Sequence, residues 1–399
     1  MRISEKKRLA LVLSGGGIKA AAFHVGVCLA LKEKGFNFAG GSPQEMAQKY
    51  PKDEMTFKTY VGSSAGAVIS TFLAAGYSIN DVLESFQLGA GFQDAKKTHS
   101  QPGALKPLSY FHLFSLNGGN ILGFLPGIFK MKPLITGGLE ALIKNGFKIN
   151  GLFTTGGLER YFRKYVLTEN RFESLGPNLY IVATQLNHSR KVVFGNFKET
   201  KKVRAIKYAN YATISEAIAA SAALPPVFAP YGIKDQKGTT LYYFDGEIRD
   251  TLSTHVASDH DADLVIASYS IQPYHFTPEI GSLHQYGIPI IINQALYQVV
   301  EQKIQSAIAH KQSMSAVLKT IDGYCKEVGI ADEHRERLIQ IILDKTSFKP
   351  NVDYIYIHPK ESDHQMFFAD HFSLNAKTLA MIVRSGFKAA ISTLRKHNI

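Results

Sequence analysis

The sequence predicts an α/β body followed by a mostly helical C-terminal extension. Three observations carry that prediction. Twice near the N-terminus a short apolar run enters a glycine-rich turn and leaves it as a long apolar stretch of helical character, from position 8 (RLALVLSGGGIKAAAFHV) and over 58–76 (KTYVGSSAGAVISTFLAAG). Further on, TLYYFDGE (240–247) reads as a strand running straight into Asp245 and Gly246. A carboxylate and a glycine turn at a strand's end lie where an open α/β sheet places chemically active side chains. From about position 289 the pattern turns mainly helical, with one late strand, VDYIYIHP (352–359).

Composition bounds the partners. With 399 residues, 45% hydrophobic and 20% charged, the chain has ample material for a buried core. No linker rich in Pro, Gly or Ser interrupts it, so the reading is an α/β domain over 8–275 and a mainly helical region over 276–399 packed on the same body. The net charge of +12 favours partners with negative surfaces. No nucleic-acid motif accompanies that charge, so an anionic membrane surface is the expected partner and nucleic acid is not. The only cysteines, Cys28 and Cys325, stand far apart without metal-ligand spacing, so neither a disulfide framework nor a zinc site is expected. No cluster of Asp, Glu or His has ligand spacing for calcium or zinc, so no metal or other cofactor is expected. Lys6, Lys7 and Arg8 precede LALVL in the manner of a signal peptide, but an apolar run of five residues is too short for one. The expectation is a cytoplasmic or peripheral membrane protein without signal peptide or transmembrane helix.

Taken in order, 8–14 reads as a buried strand and 18–34 as a helix apolar nearly all round, closed by Gly35. Between them Gly15, Gly16 and Gly17 place backbone N–H groups at a helix N-terminus, a nest suited to a phosphate or a developing oxyanion. The phosphate-loop pattern is absent, and Ala20 leaves the dinucleotide pattern incomplete. Residues 36–57 read as a polar surface excursion. Gly62, Ser63, Ser64, Ala65 and Gly66 form G-x-S-x-G between a strand and a helix. Such an elbow holds its central residue, here Ser64, in a strained conformation at the positive end of the helix that follows. Ser78 with Asp81, and Thr213 with Glu216, have capping-box spacing. The first box opens a helix to about Leu88. The second opens a small-residue helix to Ala223, stopped by Pro225 and Pro226. Residues 107–129 carry no Asp, Glu, Lys or Arg but are broken by Asn117, Gly118, Gly119, Asn120 and Pro126, so they suit a lid, an interfacial loop or a core hairpin better than a membrane span. A turn and amphipathic helix (150–166), strands at 178–187, 191–195 and 262–270, a cationic edge at 198–207 and a helix from about 375 to 394 complete the reading.

Together these blocks resemble the patatin-like phospholipases, over roughly residues 9–270. LVLSGGGIKA resembles the family's G-G-G-x-[RK]-G and VGSSAGA its G-x-S-x-G; AIAASAALPPVFAPY is similar to its block of small residues and prolines, and FDGEIRDTLS to D-G-G-x-x-D-N-x-P. The resemblance implies a three-layer α/β/α fold with a mainly parallel sheet. It also implies a lipid acyl hydrolase of phospholipase A or lysophospholipase type acting on lipid esters through a Ser–Asp dyad. Ser64 would be the nucleophile, Asp245 its base and Gly15, Gly16 and Gly17 the oxyanion hole. Lys19, Gly62, Gly66 and Gly246 would support them, and no metal would be needed. Departures are Ala20 for the last glycine of the first motif, Glu247 for the second glycine after Asp245, and Thr251 and Ser253 for Asn and Pro. Glu247 is expected to face solvent. A Ser–Asp–His triad using His255 or His260, an acyltransferase, and a lipid-binding protein that has lost turnover remain as other readings.

Overall fold

The computed structural model describes residues 5–51, 54–86, 105–116, 150–203, 205–346 and 348–399. LALVL forms β1 (Leu9–Leu13), wholly buried, with Leu9, Leu11 and Leu13 on one face of a sheet and Ala10 and Val12 on the other. A strand apolar on both faces needs a helical layer on each side. In chain order the next elements are α1 (Gly17–Glu33), β2 (Asn37–Phe38), α2 (Pro43–Lys49), β3 (Thr56–Ser63), α3 (Ala65–Ala74) and α4 (Ile79–Ser85). Then come α5 (Tyr110–Leu113), β4 (Ser115–Leu116), β5 (Phe153–Thr154) and α6 (Gly156–Tyr161), which continues as a π turn to Val166. The second half of the sheet region holds β6 (Asn178–Gln185), β7 (Arg190–Phe194), β8 (Lys201–Val203), β9 (Ile206–Ala209), α7 (Ile214–Ser221), β10 (Tyr231–Lys234), β11 (Thr240–Asp245), α8 (Thr254–Ser258) and β12 (Leu264–Ser268). The C-terminal region adds α9 (Ile288–Glu327), α10 (Asp332–Thr346), β13 (Asp353–Ile357), α11 (His364–Phe368) and α12 (Ala376–Lys396).

The main sheet runs β13-β12-β1-β3-β6-β7-β9-β8. Its centre, β13 through β6, is parallel, and β7 turns the order antiparallel. One face packs against α1, α3, α7 and α12, the other against α8 and α9, giving the three layers. The C-terminal region is built into this body: β13 extends the sheet beside β12, and α12 lies on α1. The two helices touch backbone to backbone. A Cβ on Gly26 would stand 2.0 Å from the Val383 carbonyl, and one on Gly386 2.2 Å from that of Phe23.

One feature of the topology positions the site. Along one edge of β6, Thr59–Ser63 of β3 pair with Asn178–Val182 in parallel; β11 then takes over the same edge, antiparallel, with Asp245 opposite Ala183. The C-terminal ends of β3 and β11 therefore meet head to head.

Both capping boxes form as their spacing predicts, at Ser78–Asp81 and Thr213–Glu216. The expectation of a surface excursion over 36–57 is corrected. Phe36 and Phe57 are buried, and Phe57 stacks between Phe36 and Phe38 with ring centroids 5.5 and 5.4 Å away. The three phenylalanines pin this segment to the sheet edge, while polar α2 between them keeps it exposed enough to read as loop. The cationic edge is exposed as β8 over Lys201–Val203, Arg204 lying outside the described residues. Of the uncharged run 107–129, residues 117–129 also lie outside them. Among the described residues no helix is long and apolar enough to cross a membrane.

Candidate active site

Ser64 caps α3 with φ 52° and ψ −118°, a left-handed conformation that a serine adopts only under constraint. The constraint is visible. A Cβ on Gly62 would lie 2.5 Å from the Ala67 backbone, and one on Gly66 2.0 Å from the Leu13 carbonyl, so strand and helix close around the turn at distances only glycine permits. The Ser64 N–H donates to Ser221 Oγ at 2.8 Å, and Ser221 in turn donates to the Val182 carbonyl at 2.6 Å. Three chain segments thus meet on the elbow.

Asp245 arrives from β11 and is buried at 2% exposure. Its N–H donates to the Ala223 carbonyl at 3.1 Å, so the small-residue stretch at the end of α7 holds both residues, Ser64 through Ser221 and Asp245 through Ala223. Gly246 lets the chain turn against β6, where a Cβ would lie 2.4 Å from the Val182 carbonyl. The Asp245 carboxylate accepts from the Glu247 N–H at 2.9 Å, and the Ser64 side chain beside it also favours its charged form. Burial nevertheless pushes its pKa up to about 6, outweighing both. A carboxylate so placed takes a proton readily near neutral pH.

Gly16 and Gly17, with φ 131° and 70°, bend the chain from β1 into α1. The turn is braced from the C-terminal region. Lys19 N–H donates to the His371 carbonyl at 3.2 Å, and His371 Nδ1 donates to the Gly16 carbonyl at 3.2 Å. That bond fixes the tautomer, so His371 Nε2 accepts from Tyr297 at 2.7 Å, and Tyr297 accepts from the Lys19 ammonium at 2.8 Å. Burial draws Lys19 down to about 7, with Asp363 opposing, and draws His371 down to about 4 with help from Lys19. Lys19 therefore turns toward Tyr297 and bears on the turn through that chain of bonds. Tyr297 and His371 carried no signal in the sequence, since they stand hundreds of positions from the glycines.

Glu247 does not face solvent; this expectation is corrected. Its Oε1 accepts from the Gly15 N–H at 2.9 Å, and its side chain packs against Gly15 beside Ser64. The turn at Gly246 is a single 3₁₀ turn, Gly246–Ile248, which swings position 247 back over the elbow. Burial first, then the charges of Asp245 and Asp250, push its pKa up to about 8 against the favourable Gly15 amide. Gly16 and Gly17 amides have no hydrogen-bond partner among the described residues. The histidines of the triad reading lie elsewhere: His255 Nε2 accepts from Lys191 at 2.6 Å, and His260 Nδ1 donates to the Val256 carbonyl at 2.7 Å. Neither is bonded to Asp245.

A pocket of about 660 Å³, its open mouth included, reaches Ser64 and Gly17. Apart from those two and Thr155 its walls are apolar, among them Ile18, Val68, Leu108, Phe114, Leu224, Phe228 and Phe372. Leu108, Leu113 and Phe114 belong to the start of the uncharged run, which here is a wall of the pocket, while Phe111 beside them is 87% exposed. Such a lining suits a hydrocarbon chain.

The family model described as patatin-like phospholipase matches residues 11–258, more than half of the chain. Two solved structures align over 98% of the chain. VipD from Legionella pneumophila does so at 17% identity and a TM-score of 0.37, over 67% of its own length. The complex of SpcU with ExoU from the type III secretion system of Pseudomonas aeruginosa does so at 15% and 0.24, over 78%. No curated protein matches the chain significantly. The chain belongs to the patatin-like phospholipase family.

Proposed function

We propose that the protein hydrolyses carboxylic esters of glycerophospholipids through a Ser64–Asp245 dyad and an acyl-enzyme. The observation that carries this reading is the head-to-head meeting of β3 and β11, which sets a strained serine against a buried carboxylate at an apolar pocket. Asp245 accepts the Ser64 proton as the hydroxyl attacks the ester carbonyl and returns it to the departing alcohol. Water, activated by the same carboxylate, then releases the acid. The amides of the glycine turn, at the positive end of α1, stabilise the tetrahedral oxyanion. The dyad supplies both nucleophile and base, so hydrolysis persists in EDTA.

The enzyme works at an anionic lipid surface, with the net charge of +12 gathering it there and the uncharged run 107–129, apart from its residues in the pocket wall, as the apolar contact. Replacing Phe124 and Leu125 by Asp reduces binding to anionic vesicles; unchanged binding in a folded variant removes that role. The test of the main reading is incubation of purified protein and Ser64→Ala with mixed glycerophospholipids and EDTA, with products identified by mass spectrometry. Free fatty acid from the wild type alone supports it, and equal release by both sinks it.

A further inference from the structure

We propose that the Glu247 side chain is a built-in plug of the oxyanion site, which turnover must displace. It rests on the reading of Ser64 as nucleophile. A tetrahedral intermediate on Ser64 needs its oxygen about 3 Å from the glycine-turn amides. In the structure the ground in front of Gly15 is taken, while the Gly16 and Gly17 amides keep no partner among the described residues. Glu247 Oε1 holds the Gly15 N–H at 2.9 Å, and a Cβ built on Gly15 would stand 2.6 Å from Glu247 Cγ and 2.9 Å from Ser64 Cβ. The side chain thus lies over Gly15, on the side of the turn that Ser64 Cβ also approaches. A glycine at 247, as the resemblance leads one to expect there, has no side chain to occupy this space.

The plug is one the molecule can release. Glu247 Oε2 is enclosed without a hydrogen bond of ordinary length, an unsatisfied contact that favours departure. The groups facing Glu247 are Asp245 and Asp250 from its own segment and the Gly15 and Leu252 amides, which favour its charge; from α9, Lys303 donates to the neighbouring Ile248 carbonyl at 3.1 Å. Two carboxylates and burial disfavour its charge in the plugged pose, where its pKa lies at about 8, against an ordinary 4.5 once it swings into water. The plugged pose therefore binds the proton more tightly. It is favoured at low pH and yields to the open pose by up to tenfold per pH unit as pH rises between those values, with no further change above about 8.

Glu247→Gly, Glu247→Ala, Glu247→Gln and Ser64→Ala in the full chain test this. The readouts are initial rates on a short soluble ester and the rate of Ser64 labelling by an alkyl fluorophosphonate, from pH 5.5 to 8.5. Glu247→Gly and Glu247→Ala should react at least about tenfold faster than wild type near pH 6.5, the gain shrinking toward pH 8.5. Glu247→Gln should gain less, because its amide oxygen still accepts from the Gly15 N–H, and should lose the rise between pH 7 and 8. A folded Glu247→Gly or Glu247→Ala, verified by circular dichroism, that reacts no faster than wild type overturns the plug. Should neither fold, an unaltered pH profile in Glu247→Gln overturns it. Labelling or hydrolysis that survives in Ser64→Ala refutes the nucleophile instead, so the two failures are distinguishable.

Discussion

Asp245 and Asp250 lie five positions apart in one segment, and the fold treats them oppositely. Asp245 is buried with no cation bonded to it among the described residues, and burial lifts its pKa to about 6. Asp250 is also largely held from water, which raises its pKa, but the Lys191 charge and the hydrogen bonds from Lys191 and Ser253 outweigh that and hold it below the usual carboxylate value. Lys191 bonds it directly, the Ser253 hydroxyl donates to it at 2.6 Å, and His255 Nδ1 stands 3.7 Å away. Nearby, Lys311 donates to Thr254 at 2.8 Å. One carboxylate is kept uncomfortable and able to take a proton; the other is saturated with partners and pins the segment. The difference teaches that the histidine of a triad reading has been spent on structure. His255 is held neutral, its pKa drawn to about 4 by burial and by Lys191.

The largest test of this contrast is catalytic. Ser64→Ala and Asp245→Asn should each lower ester hydrolysis by at least about a thousandfold, and the double variant should be little worse, because the two act as a unit. His255→Ala should cost less than about tenfold. A loss in His255→Ala equal to that in Ser64→Ala would restore the triad and erase the distinction.

Stability supplies the opposite signs. Lys191→Met leaves Asp250 without its direct cation and should destabilise the fold by about 3 kcal/mol, at the low end for a broken buried pair because Asp250 keeps some solvent contact. Asp245→Asn should do the reverse. A raised folded-state pKa means that ionising Asp245 costs stability, a cost that develops as pH rises from the unfolded value to about 6. At pH 8 the variant should gain up to about 3 kcal/mol, read as a higher denaturant midpoint. Asp250 behaves the other way, its stabilisation being complete above the ordinary carboxylate value and lost as pH falls through the lowered one. Equal signs for Lys191→Met and Asp245→Asn would break the comparison.

The pH–rate profile sharpens it. With Asp245 as base, kcat/KM should fall about tenfold per pH unit below about 6 and should not track the titration of Asp250. Glu247→Gly is the background in which to measure this free of the second carboxylate. The smallest effect concerns the pocket. Val68→Phe should narrow the apolar channel at Ser64, lowering kcat/KM for long-chain esters several-fold more than for short ones. An unchanged chain-length profile would place the acyl chain elsewhere.

Much of the site was legible in the sequence because its parts are local. G-x-S-x-G marks a turn whose glycines are demanded by contacts within a few residues and across to β1, and Asp245–Gly246 ends a strand that its own apolar pattern reveals. Both capping boxes follow from a side chain and an amide three residues apart. The small-residue block predicted close packing, and the structure supplies its object, since Ser221 and Ala223 hold the backbone of Ser64 and Asp245. Residues 36–57 were misread because the three phenylalanines that anchor them are separated by a polar helix and pair across β2 and β3. Glu247 was misread because a lone charge in a turn faces water unless the turn's geometry, set here by Gly246 against β6, aims it inward.

By itself, then, the sequence determined the strand–turn–helix units, their caps and the residue types at the two ends of the candidate dyad, since each depends on neighbours a few positions away. Only the tertiary structure decided that β3 and β11 share one edge of β6, that Tyr297 and His371 brace the glycine turn, and that Glu247 covers the Gly15 amide. Those relations join residues up to 355 positions apart, as Gly16 and His371 are. No local propensity encodes such pairings; they exist because the sheet buries both its faces, and the helices covering it bring distant segments to one end.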